Sequence, residues 1–153
     1  MSESSTIIKA AAEQDLDLLL PFVRSYHDFE GLDIVESERR AAVSGLLNNT
    51  HLGGIWIIFD GAEPCGYMAV CKGYSIEFGG FDAFIDEFFI RPESRGRGIG
   101  GAVLQLIKVE ARKLGVRALH LEVARSNSQA RNLYESNAFV ARDGYTLMSV
   151  ELD

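Results

Sequence analysis

No apolar stretch of this chain approaches the roughly 20 residues that cross a bilayer, and its first fifteen residues have neither the basic start nor the apolar middle of a signal peptide. The reading is a soluble, unexported protein with no membrane partner. Positive charge is also scarce. With 15 Lys+Arg against 22 Asp+Glu the net charge is −7, which argues against general nucleic-acid binding, since that needs a basic surface to displace counterions. His27, His51 and His120 show no metal-ligand spacing and the two cysteines form no cluster, so no metal is expected. Cys65 and Cys71 fall in one expected strand, about 20 Å apart at about 3.3 Å per residue, too far for a disulfide. Free thiols suit a reducing cytoplasm. Three prolines are too few for a linker-rich or disordered chain, and 153 residues fit one compact domain, residues 1–153.

The charge is divided along the chain. Up to Ile90 there are 5 Lys+Arg against 15 Asp+Glu, and from Arg91 onward 10 against 7, so −10 and +3 make up the −7. Such a split suits two ligands of opposite sign, a cation met by the first part and a polyanion by the second.

Periodicity predicts a short strand over Thr6 to Lys9, a helix from Glu13 to about Phe29 with Leu16, Leu19, Leu20, Val23 and Tyr26 on one side, and a second helix over Glu36 to Asn48. Gly54 to Asp60 and Gly66 to Tyr74 flank the turn segment Gly61 to Pro64 and read as a hairpin. A strand over Ala83 to Ile90 follows. Gly98 to Leu114 is the clearest helix, with Gly115 as its stop. Ala118 to Val123 reads as a strand, and Ser128 to Ser136 as a short helix capped from Ser126 or Asn127 and ended at a left-handed Asn137. Phe139 to Ala141 and Thr146 to Leu152 are expected strands around Asp143-Gly144. The order β-α-α-β-β-β-α-β-α-β-β is an α/β chain with a mixed sheet flanked by helices.

One segment breaks local rules. Arg95-Gly96-Arg97-Gly98-Ile99-Gly100-Gly101 opens the clearest helix with glycines, each costing about 1 kcal/mol against alanine, and with two arginines where the helix dipole prefers anions. A bound polyanion resolves the conflict: the exposed N–H groups accept it, the absent side chains let it approach, and the arginines pair with its charge. The segment also fits the dinucleotide fingerprint, with Glu122 near the ribose-acid position. Too little chain follows for a doubly wound nucleotide domain, however, and Arg91 to Ser94 separate the turn from its strand. A P-loop is excluded because no Lys-Ser or Lys-Thr closes the motif.

Read as Arg95-x-x-Gly98-x-Gly100, after Phe84 to Ile90 and before an amphipathic helix, the segment resembles the acetyl-CoA signature of the GNAT superfamily of N-acetyltransferases. Asn127, Ala130, Leu133, Tyr134 and Phe139 match that family's later motif, and the departure is Ala138, where the family often has glycine. The resemblance implies a splayed sheet. It also implies that backbone groups of Phe88, Phe89 and Ile90 hold the pantetheine arm of acetyl-CoA, that Arg95 to Gly101 cradle the pyrophosphate, and that Asn127 and Ala130 lie along the arm. It makes Tyr134 the acid for the departing thiolate and a homodimer the frequent assembly.

An aliphatic amine titrates near 10.4, so only about one molecule in 2,500 is nucleophilic at neutral pH, and a base is needed. Asp86 and Glu87 are adjacent on an otherwise apolar strand, so alternation sends one of them toward a covered face unless a bulge intervenes. The family places acids here; which of the two serves is open. Ile85 to Ile90 and the run Tyr26 to Glu30 look most like the spermidine/spermine and diamine acetyltransferases, which makes Tyr26, Asp28 and Glu30 candidate contacts for a small cationic amine. Acetylation of a protein amine and a CoA-binding module without turnover are the alternatives.

Overall fold

The computed structural model describes residues 5–153, in two compact units, the described residues up to Glu122 and Val123–Asp153. The first unit is an open five-stranded sheet in the order β1 (Thr6–Ala10), β2 (Gly53–Asp60), β3 (Glu63–Ser75), β4 (Gly80–Ile90) and β5 (Ala118–His120). The first four strands are antiparallel neighbours, and β5 runs parallel to β4. Helices α1 (Leu16–Phe29) and α2 (Glu36–Leu47) lie in the crossover from β1 to β2, and α3 (Ile99–Lys113) in that from β4 to β5. The expected α/β class and mixed, helix-flanked sheet are borne out.

Two apolar periodicities build the unit. Leu16, Leu19, Leu20 and Val23 on α1 and Val43 and Leu47 on α2 pack on the alternate strand residues Ile55, Ile57, Tyr67, Ala69 and Phe89. The intervening residues Trp56, Ile58, Met68 and Val70 point to the opposite face and are buried as well. Helix α3 buries Ile99, Val103, Leu104 and Ile107 outside the first cluster.

Several boundaries move for identifiable reasons. Glu13–Asp15 form a tighter 3-10 turn, stabilised where the Ala12 N–H donates to the Asp15 carboxylate at 2.9 Å, so α1 begins at Leu16. Glu63 and Pro64, expected in a turn, belong to β3; the ladder shifts register between Ile58 and Phe59, opposite Pro64, which has no N–H to donate. Helix α3 stops in a Schellman arrangement: Val116 N–H reaches the Ala111 carbonyl and Gly115 N–H the Arg112 carbonyl, both at 3.0 Å, with Gly115 at φ 78°. β5 ends at His120 rather than Val123, and it pairs with β4 only at Asp82, Ala83 and Phe84.

The second unit holds α4 (Ser128–Ser136). Asn127, not Ser126, caps it, its side-chain oxygen accepting from Ala130 N–H at 3.1 Å. Two expectations fail here. Phe139 to Ala141 and Thr146 to Leu152 form no strand: a turn bond joins Tyr145 N–H to the Arg142 carbonyl, and Val140, Leu147, Met148, Val150 and Leu152 are exposed. A strand needs a ladder partner and a covered face, and alternation supplies neither.

The left-handed residue at the end of α4 is also not Asn137, whose φ is −109°, but Ala138 at φ 73°. A residue bearing a Cβ is strained there by about 1–2 kcal/mol. Ala138→Gly is therefore expected to raise the thermal midpoint by about 2–4 °C after allowing for the added freedom of the unfolded chain; calorimetry showing no rise would contradict this.

Candidate active site

The two carboxylates of β4 sit at a bulge. Ala69 of β3 faces Glu87 and Val70 faces Ile85, so Asp86 is the extra residue. The bulge cancels the alternation that would separate the pair. Burial first, then the charges of Asp86 and Glu87, push the Cys71 thiol up. Burial and then Glu87, with Asp86 a smaller contributor, hold the Tyr67 hydroxyl far above the phenol range. Tyr67 and Cys71 share one side of β3, the side on which the Tyr67 hydroxyl meets Glu87.

Their surroundings differ. Glu87 accepts from the Tyr67 hydroxyl on Oε1 at 2.8 Å and meets His27 Nε2 with Oε2 at 2.7 Å. Asp86 is exposed, with no hydrogen bond or ion pair among the described residues. Cys71 stays a thiol and Cys65 is fully buried with its own thiol pushed up by burial, so neither is a ready nucleophile.

Of the three acceptor-contact candidates, the half-buried Tyr26 packs on a residue bonded to Glu87. Its ring meets that of Tyr67 edge to face at 6.4 Å. Asp28 and Glu30 lie exposed at the C-terminal end of α1, where carboxylates oppose the helix dipole and a cation is favoured.

From Ile85 to Ile90 the second edge of β4 has no strand paired to it among the described residues, which opens the sheet beside Phe88, Phe89 and Ile90. Beyond Ile90, a 3-10 turn over Pro92–Ser94 leads into the glycine segment. Gly96 and Gly98 take φ 77° and 80°, and a Cβ on either would meet nothing within 4 Å. Neither glycine is required by neighbouring protein atoms, only by the left-handed turn and the space before it. The first turn of α3 has no side-chain cap and no acid, and the N–H groups of Ile99, Gly100 and Gly101 lack intrahelical acceptors. The cradle thus suits an anion.

The arginines are engaged within the protein. Arg95 Nε donates to the Ile90 carbonyl at 2.7 Å, and its guanidinium lies over Phe89 at 5.5 Å and Phe29 at 6.0 Å. Arg97 pairs with Asp60 at 2.7 Å. In the second unit Tyr134 is half-buried on α4 against the Phe139 ring at 6.0 Å, and Asn127, with Oδ1 used in capping, keeps its amide N–H groups as donors.

Tyr67, His27 and Arg39 are the residues that sequence reasoning missed. The signal was present for one of them: His27 continues the buried series Leu16, Leu20, Val23 at helical spacing, a polar residue on an apolar stripe.

The profile of the Acetyltransferase (GNAT) family matches residues 19–139. Among curated relatives, the uncharacterized N-acetyltransferase YhfO of Bacillus subtilis is 26% identical over 140 residues, 90% of this chain and 92% of that protein. A thialysine N-epsilon-acetyltransferase of Bos taurus is 28% identical over 138 residues, 85% of this chain and 81% of that one. Among solved structures, the integron cassette protein HFX_CASS3 superposes with a TM-score of 0.83 at 32% identity, covering 95% of this chain and 90% of that one. A predicted acetyltransferase of Clostridium acetobutylicum, determined with acetyl-CoA, gives 0.76 at 19% identity, covering 94% and 96%, a likeness of fold. With its glycine turn, opened sheet and family match in agreement, this chain belongs to the GNAT family of acyl-CoA N-acetyltransferases.

Proposed function

We propose that this enzyme transfers the acetyl group of acetyl-CoA to a primary amine of a small cationic acceptor, polyamine- or diamine-like, by direct attack in a ternary complex. The observation that carries the reading is the pair of adjacent carboxylates at the Asp86 bulge, of which Glu87 meets His27 of the acid-ended α1. Relatives named thialysine N-epsilon-acetyltransferase support an amine acceptor.

Acetyl-CoA supplies an activated thioester. The chain's own residues do the rest. Gly96 to Gly101 present N–H groups to the pyrophosphate, with Arg95 and Arg97 adding positive charge, and the open edge at Phe88 to Ile90 takes the pantetheine arm, which Asn127 and Ala130 meet in the family pattern. Asp28, Glu30 and Tyr26 draw the cationic acceptor, and Glu87 holds its reacting ammonium group. Asp86, unpaired and exposed, accepts the proton that masks the nucleophile, directly or through water. Protonation costs the amine about 4.6 kcal/mol at neutral pH, so this is the larger task. Tyr134 returns a proton to the departing thiolate, a lighter task because a thiol titrates near 8.5.

Thiol release from acetyl-CoA, followed with a panel of diamines, polyamines and lysine or N-terminal peptides, tests this. Small diamines are expected to lead the panel by about tenfold or more in kcat/KM, the effect of one favourable charge contact. Tyr134→Phe should lower turnover by about 10- to 100-fold and leave acetyl-CoA affinity within about twofold. Preference for peptides would redirect the assignment to protein acetylation, and thermal protection by acetyl-CoA without thiol release would reduce it to a binding module.

A further inference from the structure

We propose that His27, fixed in one tautomer by the buried Arg39, is a positioning residue that holds the Glu87 carboxylate for the acceptor amine. This rests on the amine-acetylation reading above.

A chain of hydrogen bonds with only one consistent direction runs from Arg39 through His27 to Glu87. Arg39 on α2 is only 5% exposed. Its Nε donates to His27 Nδ1 at 3.1 Å, its Nη2 donates to the Ile34 carbonyl at 3.2 Å, and its Nη1 pairs with Glu36, which also takes Arg24 at 3.0 Å. A guanidinium group has no acceptor, so His27 Nδ1 must be bare and the ring proton must sit on Nε2. Nε2 therefore donates to Glu87 Oε2, 2.7 Å away. Tyr67, wholly buried and held as a phenol, donates to the other oxygen. One donor from α1 and one from β3 thus fix both oxygens, and each oxygen keeps a lone pair for a further N–H.

Burying an arginine and a histidine on helices that pack on an apolar sheet is costly, and plain apolar packing would serve the fold as well. What the arrangement gains is orientation without neutralisation. An arginine set directly on Glu87 would pair with its charge and compete with an ammonium group. A neutral imidazole placed between them lines up the carboxylate and leaves the negative charge for the substrate, while the charge of Arg39 is met by Glu36.

The groups facing Glu87 are Tyr26 and His27 of α1, Tyr67 and Cys71 of β3, and Asp86 of β4, with Arg39 and Glu36 of α2 behind His27. The test compares His27→Ala with His27→Gln, whose amide N–H can stand in for Nε2–H. In His27→Ala, kcat/KM for the amine is expected to fall about 10- to 100-fold, the loss of one hydrogen bond to a charged group. The acid limb of its pH profile should move to higher pH, because a carboxylate that loses a donor protonates more readily. KM for acetyl-CoA should stay within about twofold, and His27→Gln should recover most of the loss. An active enzyme whose amine kcat/KM and acid limb are unchanged in His27→Ala overturns the inference alone. Wild-type protein that acetylates no amine overturns the functional reading and the role of Glu87 with it. Should the alanine variant fail to fold, long-range proton–nitrogen spectra of the wild-type imidazole at neutral pH decide: a protonated Nε2 with bare Nδ1 supports the assignment, and the opposite tautomer removes it.

Discussion

Asp86→Asn is expected to lower kcat at neutral pH by about 10²- to 10³-fold, while Glu87→Gln acts chiefly on the amine, raising its KM by about tenfold or more. The two effects differ because the two side chains are held differently. Asp86 is the bulged residue, exposed and unpaired, free to take a proton and give it to water. Glu87 has a donor on each oxygen, which suits it to hold a charge in place. If Asp86 only removes the proton that masks the amine, then solvent hydroxide can replace it. The Asp86→Asn rate should therefore climb about tenfold per pH unit until the amine itself titrates near 10.4, closing most of the gap to wild type. Acetyl-CoA affinity should change in neither variant. Wild-type rates for both across the whole pH range would remove the carboxylates from the reaction.

The sequence disclosed the layout but not the connections. Helical spacing placed α1, α2 and α3 within a few residues, because an amphipathic stripe is a local property, and the glycine turn declared itself by breaking local rules. The bulge at Asp86 was invisible, since a register shift belongs to a pair of strands and Ala69, the partner of Glu87, lies 18 positions from it in sequence. Tyr67 is 20 positions from Glu87 and His27 is 60. Each alone is an ordinary strand tyrosine or helix histidine, and only folding makes them donors to one carboxylate. Arg97 shows the same limit from the other side: its charge pointed to phosphate, and nothing local announced that the β1–β2 ladder and the turn would also bring Asp60 to 2.7 Å from it. Phe139 to Leu152 carried the alternation of strands, and alternation records a preference for a covered face without supplying the cover.

Gly98→Val is expected to weaken acetyl-CoA binding by about 100-fold or more while costing the fold little. At φ 80° a β-branched residue is strained by about 1–2 kcal/mol, which is about 2–8 °C in thermal midpoint for a chain of this size. A Cβ there meets no atom within 4 Å, so its attachment point is not crowded by the protein. That same open space lies before the uncapped N–H groups of Ile99, Gly100 and Gly101, so the valine methyls would stand where the diphosphate must approach. Losing even two hydrogen bonds to a charged group accounts for the expected drop. Gly115 supplies the control, because it has nearly the same conformation, φ 78°, and the same absence of neighbours, but stands at the far end of α3, where carbonyls rather than N–H groups are left over. Gly115→Val should therefore lose comparable stability and keep its affinity for acetyl-CoA. Calorimetric titration of both variants separates the effects: equal affinities in the two would mean that Gly98 serves only the turn, and that the start of α3 is not where the diphosphate binds.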